Sequence, residues 1–197
     1  KLGPVQAKGF AYLLDYDEAF FLTNSSQTYG LRVVAPIPIA DKVKLNLVGS
    51  YARQSDYGDN PLDYSADFAS VEAGLAIKGL LLTGGWELLG ADRGRALQTP
   101  MATLHKFNGW ADVFLTTPNN GLQDAYGGIA YKFDGVKALP GLNAAVTFHQ
   151  FDSDAGDVEF GTEWDASLGF RLGRVSLLAK YANYNAVGFG IDTEKFW

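Results

Sequence analysis

ASVEAGLAIKGLLLTGGWELL, residues 69–89, reads as two strands and the turn between them. Ala69, Val71, Ala73, Leu75 and Ile77 fall on one face, and Ser70, Glu72, Gly74, Ala76 and Lys78 on the other, a period of two. After an abrupt turn at Gly79, Leu80, Leu82, Gly84, Trp86 and Leu88 oppose Leu81, Thr83, Gly85, Glu87 and Leu89. One face carries no charge, while the other holds small and polar residues with one or two charges per strand. The polar face of a soluble sandwich meets water and collects long charged side chains, whereas small residues suit the crowded inside of a barrel.

The pattern extends in both directions. Upstream, Val43, Leu45, Leu47, Gly49 and Tyr51 alternate with Lys44, Asn46, Val48, Ser50 and Ala52. Before them come Tyr29 to Ala35, ending at a Pro36/Pro38 turn, and a weaker strand over Gly9 to Tyr16. Downstream, strands run over Asp124 to Phe133, Leu142 to His149, Thr162 to Leu172 and Val175 to Ala182, and Lys195-Phe196-Trp197 begins one more. The connections alternate in length: 17–28, 54–65, 90–123, 152–159 and 185–194 are long, and 36–42, 79, 134–141 and 173–174 are short. Outer-membrane barrels have this asymmetry, with short periplasmic turns and long extracellular loops. The sequence therefore predicts an all-β fold, an antiparallel transmembrane β-barrel of about ten strands. Residues 1–197 form either a single barrel domain or the C-terminal portion of one, with a long central loop over 90–123. Tyr29, Tyr51, Trp86, Tyr131, Phe133, Phe148, Trp164 and Tyr181 lie near strand ends on the apolar face, where aromatic girdles belong.

Composition agrees with this class. The 197 residues suffice for a sizeable core, and the 23 glycines suit many strands and tight turns. With no cysteine there is no disulfide framework, thiolate metal site or cysteine nucleophile. A net charge of -6 argues against nucleic acid and against an anionic membrane surface as partners. No apolar run reaches the length of a transmembrane helix, and the mean hydropathy of -0.04 is what alternating strands produce. Lys1-Leu2-Gly3-Pro4 reads as internal sequence and not as a leader.

One long segment breaks the alternation: QTPMATLHKFNGWADVFLTTPNNGLQD, residues 98–124. Pro100 and Pro118 cannot donate to a ladder, and Asn119-Asn120-Gly121 is a turn signal. The segment also contains Met101, Leu104, Phe107, Trp110, Val113, Phe114 and Leu115, which need a surface to bury against. A long extracellular loop of this kind is expected to fold back onto the inner wall, where Gly74, Gly85, Gly128 and Ala130 leave room. There it would narrow the opening and present Arg93, Arg95, His105 and Lys106, with Phe107 and Trp110, as a constriction.

Leu97 to Asp124 resembles the alginate-export family of bacterial outer-membrane porins. The similarity runs through Gln98-Thr99-Pro100, a centre of His105, Phe107 and Gly109-Trp110-Ala111-Asp112, the turn Thr116-Thr117-Pro118 and the exit Gly121-Leu122-Gln123-Asp124. The flanking strands are similar in style, and the chain as a whole resembles the C-terminal half of such proteins. The resemblance implies a closed antiparallel barrel in the outer membrane of a Gram-negative bacterium, passing solutes or an anionic polysaccharide.

Face assignments put Arg32, Lys44, Lys78, Lys132, Arg171 and Lys180 on the inner wall with Glu72, Glu87, Asp124, His149, Glu163 and Asp165. Their signs nearly cancel, which suits a mixed polar lining or a set of salt bridges holding the wall, and lacks the strongly basic lumen of an alginate conduit. The function expected is a passive channel for small polar solutes or an anionic saccharide, with lipid and lipopolysaccharide around it. The alternatives are a non-conducting barrel that anchors partner subunits in a larger assembly, and a soluble β-sandwich. Catalysis is not expected: His105 and His149 are the only histidines and no Gly-x-Ser-x-Gly elbow occurs. Neither DYGDN at 56–60 nor DSDAGD at 152–157 has the trailing Glu of a calcium loop, so no metal or cofactor is expected.

Overall fold

The computed structural model describes residues 4–100 and 107–197. Ten strands form one antiparallel sheet in which every strand pairs with its neighbours in the chain. They are β1 (Gln6–Leu14), β2 (Ser26–Ala40), β3 (Val43–Asp56), β4 (Ser65–Ile77) and β5 (Leu80–Leu89), then β8 (Leu122–Lys132), β9 (Asn143–Asp152), β10 (Glu159–Leu172), β11 (Val175–Ala186) and β12 (Thr193–Phe196). A two-residue hairpin, β6 (Ala91–Asp92) with β7 (Arg95–Ala96), stands apart in the long connection after β5. The sheet is open, with β1 and β12 at its edges.

The sequence locates the strands well, with one clear exception. Instead of ending at Pro36 and Pro38, β2 runs through both to Ala40, pairing Pro36 with Asn46 and Pro38 with Lys44. The register with β1 ends at Val34 opposite Gln6, so both prolines lie beyond that pairing. They share one parity along the strand, so their missing donors fall on one side only, the circumstance in which a strand tolerates proline. The turn is at Asp41-Lys42, with Lys42 at φ 59°.

The two faces differ as the alternation demands. Val71, Leu82, Ile129, Val146, Leu168 and Leu177 are all exposed on the outer face. On the inner face, the long-loop end holds a core of Tyr64, Ala66, Leu89, Leu97, Ala111, Phe114, Leu122, Phe151, Phe160, Ala182 and Tyr184. The long connections interlock there. Asn60 Nδ2 donates to Ser25 O at 2.6 Å, Ala91 N to Asp154 Oδ2 at 2.9 Å, and Ala155 N to Asn120 O at 2.9 Å.

The glycines of the inner wall make room for a different partner than the sequence suggests. A Cβ at Gly85 would run into the Tyr126 ring, one at Gly30 into the Phe10 ring, and one at Gly128 would sit 2.9 Å from Thr147 Oγ1. Side chains of neighbouring strands therefore occupy the gaps. The loop docks nearer the long-loop end, where the wall offers acids and aromatics.

Candidate functional site

The loop that follows β7 returns across the inner face and is fastened at several places. Its stem is held by a reciprocal pair: Gln54 Nε2 donates to Gln98 O and Gln98 N donates to Gln54 Oε1, each at 2.9 Å. Gln98 Nε2 also donates to Thr117 O at 3.0 Å, which ties the outgoing strand of the loop to the returning one. Its centre rests on two carboxylates of β10. Ala111 N donates to Glu163 Oε1 at 2.7 Å and Trp110 N to Asp165 Oδ2 at 3.2 Å. Asn108 Nδ2 reaches Glu87 Oε1 at 3.1 Å, and Lys195 of β12 donates to Asp112 Oδ2 at 2.9 Å. Past the centre, Phe114 enters an aromatic cage with ring centroids 4.6 Å from Phe151, 5.5 Å from Phe189 and 5.8 Å from Tyr184. Burying such a ring stabilises the docked loop by roughly 1.5–3 kcal/mol.

The local sequence explains the conformation. Asn108, Gly109 and Asp112 have φ of 56°, 81° and 57°, and Asn, Asp and Gly are the residues that adopt this region most readily. Gly109 is required twice over, because a Cβ there would lie 2.5 Å from Glu163 Oε2. Glu163 is fully buried and Asp165 nearly so. Glu163 and Asp165 stand two residues apart on one face of β10, a spacing that lets both acids reach the same stretch of backbone.

Beside the docked centre lies a cavity of about 270 Å³, lined by Arg32, Glu72, Glu87, Asp124, Tyr126 and His149 from the wall and by Phe107, Asn108 and Trp110 from the loop. His149 Nδ1 lies 2.9 Å from Asp124 Oδ1 and 3.0 Å from Oδ2, and its Nε2 lies 3.7 Å from Asp165 Oδ2. Tyr126 stacks on His149 and donates to Glu72 Oε2 at 2.7 Å. Arg32 donates to Ser50 Oγ at 3.1 Å. Lys180 Nζ sits 3.9 Å above the Trp110 ring, a cation–π contact between wall and loop.

The charged residues of the inner face are sorted along the strands. Lys44, Lys132 and Arg171 lie at the short-turn ends of β3, β8 and β10. Glu87, Asp124, Glu163 and Asp165 lie toward the long-loop end, with Arg32, Glu72 and Lys180 between. The near cancellation of signs read from the sequence thus holds for the sum, while the short-turn end is basic and the cavity level mixes Arg32 with Glu72, Glu87 and Asp124.

The basic cluster expected on the loop does not assemble among the described residues. Arg93 pairs with Asp63 at the exposed loop tips. Arg95 Nη2 donates to Thr23 O at 3.0 Å and Asn24 Oδ1 at 3.1 Å. Both arginines belong to the β6–β7 hairpin, which fastens them to neighbouring loops away from Trp110; His105, Lys106, Met101 and Leu104 lie outside the described residues. Phe107 and Leu115, expected to be buried, are 52% and 49% exposed and each edges a cavity. Beside Arg95, burial pushes the Tyr64 phenol up, against the opposing pull of the guanidinium. Among the described residues no group of three His, Asp or Glu is arranged to hold a metal ion.

No protein-family model matches the chain, and no curated protein matches it. Solved structures do. Acinetobacter baumannii OccAB2 superposes with a TM-score of 0.73 at 17% identity, covering 100% of this chain and 50% of that one. Pseudomonas aeruginosa OpdQ gives 0.66 at 18% identity over 87% of this chain and 47% of its own. The outer membrane protein OprD from Pseudomonas aeruginosa gives 0.64 at 15% identity over 87% and 50%. The fold is that of an outer-membrane β-barrel. The chain spans about half the length of these structures, and its open ten-stranded sheet is correspondingly a partial barrel wall. The inner face of this wall is the one that carries the docked loop and the sorted charges.

Proposed function

We propose that the chain forms part of the wall of a passive outer-membrane channel for small polar solutes, with the loop at 97–121 as its constriction. One observation carries this reading: the loop's backbone is bonded to Glu163 and Asp165, buried on the inner face, while the outer face exposes an apolar band suited to lipid. A loop serving only as an outer cap would have no use for acceptors on the wall. Solved barrels of the same fold support the outer membrane as its location, with lipid and lipopolysaccharide against the outer face.

The finer identity as an alginate-export porin rests on the motif at 98–124 alone. The cavity beside the docked loop is lined by Glu72, Glu87 and Asp124 against Arg32, which favours a small neutral or cationic solute over a polyanion. Replacement of Ala102 to Asn119 by a short Gly/Ser linker tests the reading in planar bilayers. A folded, inserted deletion variant is expected to conduct more per channel than the parent, and unchanged conductance would make the loop a cap or a docking surface.

A further inference from the structure

A second cavity, of about 250 Å³, opens at the long-loop end between the η1 turn (Leu22–Asn24), the starts and ends of β2 and β3, and the two arms of the docked loop. Its chemistry differs from that of the acid-lined cavity. None of its lining residues is acidic; amides and hydroxyls dominate, including Asn24, Thr99, Thr116 and Asn119, with Arg95 as the single charge. Leu115 and Pro100 add an apolar edge. Arg95 is already engaged through Nη2 with Thr23 O and Asn24 Oδ1, and its Nε is buried without an acceptor.

We infer that this cavity is an entry subsite for a neutral, hydroxyl-rich solute of mono- or disaccharide size. Amides and hydroxyls both donate and accept, which matches sugar hydroxyls; an ionised ligand would call for more than one complementary charge. The apolar edge fits the C–H face of a sugar ring, and the unpartnered Arg95 Nε supplies a donor that a hydroxyl oxygen can satisfy. The subsite rests on the channel reading above and lies on the long-loop side of the constriction, so a solute would meet it before reaching the Trp110 level.

Single-channel recordings on the native, membrane-inserted protein separate the two claims. Conductance in salt alone tests the channel. Sucrose added on the long-loop side tests the subsite and is expected to reduce current in a saturable way. Asn119→Leu and Thr116→Val, both at exposed positions, are each expected to raise the half-blocking sucrose concentration by about tenfold, a loss of about 1.4 kcal/mol. Arg95→Met should act in the same direction, and if it fails to fold the two exposed substitutions still decide. Current that falls with sucrose only as bulk viscosity dictates, or identically in parent and variants, overturns the subsite. Block by glucuronate without block by sucrose overturns the neutral ligand in favour of a carboxylate.

Discussion

The amide of Ala111 donates to Glu163 Oε1 at 2.7 Å, joining positions 52 residues apart and fixing the loop's height on the wall. Donor and acceptor are both buried, and removing one partner of such a bond leaves a buried polar group unsatisfied at a cost of about 1–3 kcal/mol. Glu163→Ala is therefore expected to raise the undocked population of the loop by roughly ten- to a hundredfold. Single-channel records would show more frequent excursions to a larger conductance. Glu163→Gln keeps an acceptor and should fall between the two, and records like the parent's for both variants would remove Glu163 from the loop's fastening.

Gly109 offers an independent check on the same contact. Any side chain here must adopt φ 81° and also place its Cβ 2.5 Å from Glu163 Oε2. The backbone strain alone is about 1–2 kcal/mol for Ala. Gly109→Ala should reproduce the larger, noisier conductance of Glu163→Ala while leaving the yield of folded barrel unchanged.

The facing of the strands is testable by insertion. Leu168 is exposed on the outer face and Leu75 shares that face, whereas Ala76 points inward next to Lys44. Arg near the bilayer midplane on the lipid face costs roughly 2–4 kcal/mol. Folding into vesicles under urea titration should therefore be weakened by Leu75→Arg and Leu168→Arg and tolerated for Ala76→Arg. Equal tolerance at all three would sink the barrel wall.

Selectivity should follow the residues nearest the loop. Glu87 and Asp124 face each other in register, with Glu87 bonded to Asn108 of the loop. A salt gradient should give a reversal potential favouring cations, reduced by Glu87→Gln. Anion preference in the parent would place the narrowest point elsewhere on the wall.

Much of this was legible in the sequence because a strand's two faces are read out by a period of two. The hairpin at 69–89 placed Glu72 and Glu87 on one face without further information, and the register of β4 with β5 agrees. Pro36 and Pro38 misled, because their effect depends on which neighbour the strand lacks, a fact of pairing and not of local sequence. The glycines misled for a related reason: Tyr126 lies over Gly85 from the adjacent strand, a contact between residues 41 positions apart. The loop's fastening was legible only in part. Its apolar content announced that it would pack, yet Gln54, Lys195 and the shared use of Glu163 and Asp165 as acceptors for backbone amides carry no local signal. Arg93 and Arg95 read as a basic pair, but the tight turn between β6 and β7, with Gly94 at φ 77°, sends one to Asp63 and the other to Asn24.

The sorting of charge along the strands has an electrical consequence. Lys44, Lys132 and Arg171 stand at one end of the wall and Glu87 and Asp124 toward the other, so in the proposed channel a fixed bipolar junction would lie along the conduction path. Mobile ions accumulate at such a junction under one polarity of applied voltage and are depleted under the other. The current–voltage curve should therefore rectify at low salt and straighten as added electrolyte shortens the screening length from about 30 Å at 0.01 M to about 3 Å at 1 M. Lys132→Glu, which weakens the basic pole without touching the loop, should flatten the curve at low salt, and the sense of rectification would report which way round the protein sits in the bilayer.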